Sequence, residues 1–179
     1  MKHSTKSQSK RLKAYSLVEI IVSLGIMGVV MTMLFSVLIL SLQITFKILA
    51  RSVVREEVSN VSSQIARDIR NADNLTNCGG GGTSTTTCEF ILNGDKFQWT
   101  KCGDRMCKDQ ILSSGNVNVY TSTSNIKFTT VSFDVGFSDS TNKARQNILI
   151  TLVGSHTNPT FNVNNVIKQT SVSTRNYEL

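Results

Sequence analysis

Between Glu19 and Lys47 the chain runs for 27 consecutive residues without a charged side chain. Within this run Ile20 to Leu42 is almost wholly apolar, with only scattered Ser and Thr, whose hydroxyls can bond back to helix carbonyls. As a helix, these 23 residues would extend roughly 35 Å at about 1.5 Å per residue, against a hydrocarbon core of about 30 Å. A buried core helix of this length would keep a polar face, and this segment has none. The run is therefore expected to cross a membrane once.

The charge distribution supports that reading. The formal net charge is +7, which would suit a nucleic-acid binder. However, Lys2, Lys6, Lys10, Arg11 and Lys13 precede residue 15 with no acid among them, leaving 14 basic against 12 acidic residues in the rest. The excess is a property of the N-terminal flank, as expected of a segment held on the cytoplasmic side, and no direct nucleic-acid contact is expected. The order of segments is unusual. A secretory signal places its apolar region before the cleavage site, whereas residues 1–14 are polar and basic and the apolar run follows them. An acid, Glu19, stands at the mouth of that run. A charge in a membrane helix costs roughly 2.5–3.5 kcal/mol when central and less near the interface. Glu19 is thus expected either to sit at the interface or to pair with a cation on assembly.

Ala14-Tyr15-Ser16-Leu17-Val18-Glu19-Ile20 resembles the leader motif of type IV pilins and type II secretion pseudopilins. In that family a small residue precedes the cut, an aromatic follows it, and a glutamate lies four residues beyond the new terminus. The resemblance implies cleavage by a prepilin peptidase between Ala14 and Tyr15, N-methylation of Tyr15, and a role for Glu19 in assembly with other pilin or pseudopilin subunits. Ala14 stands where glycine is usual, and Tyr15 where phenylalanine is usual. The segment Ile65–Ala72 and the ending Thr170–Asn176 look like stretches common in minor pilins of the PilW/GspJ type. The implied function is a minor pilin or pseudopilin of a pilus, secretion or competence filament, anchored in the cytoplasmic membrane with its C-terminal domain exported. The alternative is an unprocessed single-pass membrane protein whose exported β domain binds a ligand.

Past Leu42 the pattern turns amphipathic. Val54, Val58, Val61, Ile65, Ile69 and Ala72 recur at steps of three and four, while Arg55, Glu56, Glu57, Arg67, Asp68 and Arg70 take the other faces. No proline or glycine interrupts residues 29–78, so one helix is expected over 15–73, with 20–42 its membrane part. Gly25 and Gly28 could let neighbouring helices approach closely.

Residues 74–179 read as a β-rich exported domain. Cys88–Leu92 and Phe97–Lys101 flank Asn93-Gly94-Asp95, a hairpin signal. Further strands are expected at Gln110–Leu112, Val117–Tyr120, Ile126–Phe137, Asn147–Val153 and Phe161–Lys168, with Ser138–Arg145 a loop and Pro159 marking a turn. Val131, Phe133, Val135 and Phe137 alternate, as do Ile148, Ile150 and Leu152, so each set offers one apolar face for the helix stripe. The expected class is α+β: a long N-terminal helix packed through its second half on a mainly antiparallel sheet, the lollipop layout of pilins.

Four cysteines, Cys78, Cys88, Cys102 and Cys107, fall beyond the anchor. Their spacing lacks the paired short knuckles of zinc modules, and neither His3 nor His156 lies nearby, so disulfides are expected and no metal. Three pairings are possible. If Phe90 and Leu92 share a face with Phe97 and Trp99, Cys88 joins that face and Cys102 points away from it. Direct Cys88–Cys102 bonding then fits poorly, whereas Cys78 can reach Cys88 through the glycine loop and Cys102 can reach Cys107 across Gly103–Met106, so the expected pairs are Cys78–Cys88 and Cys102–Cys107.

No set of residues suggests catalysis, and no cofactor is expected. Gly79–Gly82 lacks the Lys-Ser/Thr that a phosphate-binding loop requires. His156 stands alone near a loop. Trp99 with Phe90 and Phe97 could form a stacking platform, though such hairpin clusters are more often core.

Overall fold

The computed structural model describes residues 16–79, 85–135 and 147–174. Ala14, Tyr15, Phe137 and the expected loop Ser138–Arg145 lie outside them. The described chain is α+β, one long N-terminal helix and two antiparallel sheets. It divides into two units, one ending at Ile44 and one beginning at Thr45.

Helix α1 spans Leu17–Asn71. The Ser16 carbonyl accepts from the backbone N–H groups of Glu19 at 2.9 Å and Ile20 at 3.3 Å, which starts the helix. An acid in its first turn and Arg70 in its last complement the helix dipole. The hydroxyls within the apolar run bond back to the helix: Thr32 Oγ1 donates to the Val29 carbonyl at 2.8 Å and Ser36 Oγ to that of Met33 at 2.8 Å. That removes their need for outside partners. Every residue from Leu17 to Leu49 is exposed in the isolated chain.

The second unit has a single core. On the helix side it is built by Ala50, Val54, Val58, Val61, Ile65, Ala66, Ile69 and Ala72, which are all buried. The stripe therefore falls where the three-and-four spacing puts it and begins one turn earlier. Facing it are two meanders. The first has strand order β1-β2-β3-β4-β5, from Asn74–Asn77, Cys88–Leu92, Asp95–Cys102, Arg105–Leu112 and Gly115–Thr121. The second is β6-β7-β8, from Ile126–Val135, Asn147–His156 and Val166–Ser173. Both contribute to the same core, through Phe90, Trp99 and Met106 from the first and Ile126, Phe128, Val131, Phe133, Ile148, Ile150, Leu152 and Val172 from the second.

The turn between β2 and β3 carries Asn93 at φ 55° and Gly94 at φ 86°. Two successive left-handed residues make the tight turn that matches strand twist, and asparagine and glycine are the residues that accept this backbone. The register follows: Cys88 faces Trp99 and Phe90 faces Phe97. The ring centroids of Phe90 and Phe97 are 5.9 Å apart.

Several elements differ from the sequence expectation. β1 has no signal of its own in the sequence, since Asn-Leu-Thr-Asn has no alternation. β4 begins at Arg105 rather than Gln110 and closes a second tight hairpin at Gly103-Asp104. β6 carries an irregularity between Phe128 and Thr130, so Ile126 and Phe128 join Val131 and Phe133 in the core despite their opposite parity. The strand expected at Phe161–Lys168 is displaced. Pro159–Phe161 forms a 3₁₀ turn capped by Asn158, whose side chain accepts from Thr160 N, and β8 follows at Val166.

Candidate functional site

The segment that carries the expected function is the start of α1, and its local construction is simple. Glu19 sits in the first helical turn, exposed, one turn from the Ser16 carbonyl that opens the helix. A carboxylate here gains about 0.3–1 kcal/mol from the helix dipole. That does not offset the roughly 2.5–3.5 kcal/mol of a central membrane position. The magnitudes leave two stable settings for Glu19: the interface, or a site with a cation against it. Around it Leu17, Val18, Ile20, Ile21 and Val22 are all more than half exposed. A Cβ built on Gly25 or Gly28 would meet nothing within 4 Å, so both glycines present bare backbone on the helix surface. Each large apolar side chain left in water forgoes roughly 1.5–3 kcal/mol. A helix exposed on all sides over this length needs an apolar surrounding, either lipid or other helices. By length and composition it is one helix able to cross a membrane, near the N-terminus.

The four cysteines form two disulfides, Cys78–Cys88 and Cys102–Cys107. These are the pairs expected from the facing of the β2–β3 hairpin together with the reach of the two loops. Cys88 opposes Trp99 on the buried side, and Cys102 ends β3 exposed. All four cysteine sulfurs are paired in this way.

The aromatic residues of the hairpin are core. Trp99 is 1% exposed, its indole Nε1–H donates to Asp68 Oδ2 at 2.9 Å, and Tyr120 meets it edge-on at 5.6 Å between centroids. Asp68 also pairs with Lys108 Nζ at 2.9 Å, and that ammonium lies 4.8 Å from the Phe97 ring centroid. This group locks the helix to the first sheet. By sequence periodicity Asp68 and Glu57 belong to the faces away from the apolar stripe. Instead Asp68 flanks the stripe, three residues after Ile65, and Glu57 Oε1 accepts from the backbone N–H of Thr123 at 3.0 Å. No signal in the sequence separates these acids from Glu56, which is exposed. Burial pushes the Tyr120 phenol above its ordinary value of 10.0, and the Glu57 carboxylate adds to the effect, while a hydrogen bond from Gln64 opposes it.

His156 closes β7 beside the turn that follows it. Its Nδ1 accepts from Asn158 N at 2.9 Å, and its ring meets Phe161 edge-on at 4.9 Å. It is a structural residue of the turn.

No family model, curated protein or solved structure matches the chain. What it does has to be argued from the helix itself.

Proposed function

We propose that the chain is a minor pilin or pseudopilin, a subunit that is cut after Ala14 and joins a membrane-anchored filament through the apolar start of α1. The observation that supports this is the pairing of two features on one helix. Leu17–Leu49 is exposed all round and carries no charge from Ile20 to Phe46, and a single carboxylate, Glu19, sits in its first turn. A plain anchor needs the first feature and not the second. Cleavage would free the α-amino group of Tyr15 close to the headgroups. In the low dielectric of packed helices an unpaired carboxylate is costly, and the amine of a neighbouring subunit would neutralise it. That attraction would favour one axial register between subunits.

Two measurements test the proposal. Mass analysis of the membrane-extracted protein is expected to find a chain that starts at Tyr15, methylated. An intact residue 1–14 segment in cells with an active prepilin peptidase would instead support an unprocessed single-pass protein. Glu19→Ala is expected to insert normally, since a desolvation cost is removed, and to lose cross-linking to partner subunits. Unchanged cross-linking would remove the assembly role of Glu19.

A further inference from the structure

The stretch of α1 that follows the apolar run has its own surface chemistry. Lys47, Arg51 and Arg55 are spaced by four residues, which places them along one side of the helix over about 12 Å. All three are exposed, and none has an ion-pair partner among the described residues. No Asp or Glu occurs between Glu19 and Glu56, so Lys47 and Arg51 have no acid within four residues, and the exposed Glu56 follows Arg55 directly. Of the next two acids, Glu57 is held by the Thr123 amide. Interleaved with the three cations are Phe46, Ile48, Leu49 and Val53, each 48% exposed or more. The segment Phe46–Arg55 thus offers apolar and cationic side chains together, while Ala50 and Val54 turn into the core of the second unit.

That mixture suits a membrane interface, where arginine and lysine stems lie along apolar surface and their charges reach the phosphates. The spacing along the chain agrees. The 27 uncharged residues correspond to about 40 Å of helix, close to the roughly 40–45 Å of a bilayer with its headgroups. When Glu19 lies at one interface, Lys47 arrives at the opposite one. Arg51 is then about 6 Å above it, inside a surface potential that decays over about 8 Å, and Arg55 is about 12 Å above it, where its share is the smallest of the three.

We infer that Lys47, Arg51 and Arg55 form a binding site for anionic phospholipid headgroups in the leaflet on the side of the β domain. The site prefers phosphatidylglycerol-type lipid over zwitterionic lipid and fixes the depth at which α1 leaves the membrane. It rests on the membrane-spanning reading of α1 and is independent of leader cleavage and of filament assembly.

The test uses the full chain reconstituted in phosphatidylcholine bilayers doped with a spin-labelled phosphatidylglycerol or a spin-labelled phosphatidylcholine. The motionally restricted fraction of each label gives their relative association constants. The basic residues before residue 15 contribute equally to every protein compared, so differences between variants belong to the exit segment. The expected result is a preference for the anionic label that falls by up to about fivefold for each residue neutralised in the series Lys47→Gln, Arg51→Gln, Arg55→Gln, and that declines with added salt. Lys47→Arg is expected to keep it. Trp99 emission checks that each variant keeps the folded β domain. A protein that fails to float with the vesicles would overturn the membrane reading itself. One that inserts and shows the same preference in the triple variant as in the parent would overturn the lipid site alone.

Discussion

Gly154 lies on the buried side of β7, where the strand passes beneath the helix. A Cβ built there would fall 2.5 Å from Val58 Cγ2, 3.5 Å from Ile126 Cγ2 and 3.6 Å from Val54 Cγ1. Ordinary carbon contacts are about 3.5–4.0 Å, so only the Val58 methyl is in the way, and it must retreat by about 1 Å. Forcing an extra methyl into a packed core costs about 1–3 kcal/mol. Replacing glycine in a strand returns roughly 0.5–1 kcal/mol of chain entropy. Gly154→Ala should therefore destabilise the domain by about 1–2 kcal/mol. Val58→Ala alone should cost about 2 kcal/mol through lost burial and the space left behind. In the double variant the new methyl occupies part of that space, and a favourable coupling of about 1–2 kcal/mol is expected. Urea titration of the full chain in detergent micelles measures all three. The chain has a single tryptophan, and Trp99 is buried in this core, so its emission follows the domain while the apolar helix stays silent. A Gly154→Ala protein as stable as the parent, or strictly additive costs, would refute the close approach of β7 to the helix.

Three further outcomes are expected. Asp68→Ala leaves the Trp99 indole N–H and the largely buried Lys108 ammonium without their shared acceptor. It should cost about 2–3 kcal/mol in the same titration, with Lys108→Met recovering part of the loss. Replacing Cys78 and Cys88 by serine should lower stability by about 2–3 kcal/mol, and replacing Cys102 and Cys107 should cost less because that loop is shorter. Non-reducing peptide maps should yield no fragment joining Cys88 to Cys102. The Tyr120 phenol has its folded pKa raised above 10.0 by burial, then by Glu57. Its contribution is therefore fully present below pH 10 and lost as pH climbs through the folded value. Tyr120→Phe should show a shallower alkaline loss of stability, read by denaturant titration from about pH 9 to 11.

What the sequence made legible followed from regular periodicity and from turn chemistry with a strict backbone demand. The stripe Val54–Ala72 keeps helical spacing without a break, and Asn93-Gly94 accepts few backbones other than the tight turn it forms. From that turn the facing of Cys88 and Trp99 follows by counting. Where a local irregularity intervenes, counting fails. The shift after Phe128 changes parity within β6, and the Asn158-capped turn at Pro159–Phe161 moves β8 by five residues from its expected start. Strands made of polar residues, such as Asn74–Asn77, owe their state to the neighbour they pair with rather than to their own side chains. Asp68 and Glu57 were illegible for a related reason. A carboxylate on the flank of an apolar stripe has the same sequence signature whether it meets water or a buried indole. At the start of α1, Glu19 was conspicuous because nothing else in the next 27 residues carries a charge.

The strand order of the two sheets has a consequence for how the molecule reaches its native state. In both meanders each strand pairs only with strands adjacent in sequence, so the ladders close through short connections, the longest being those before β2, β7 and β8. Short sequence separation between partners goes with fast formation. Neither sheet has to wait for a partner strand from a distant segment. The exception is α1, which is made first and yet contacts residues as far away as Thr170 through Ser62. Closure of the core against the helix is therefore the step that carries the long-range entropy cost. The sheets would form early and the helix would dock late. Substitutions along the valine stripe should then act mainly on the unfolding rate, whereas changes at the Asn93-Gly94 turn should slow folding.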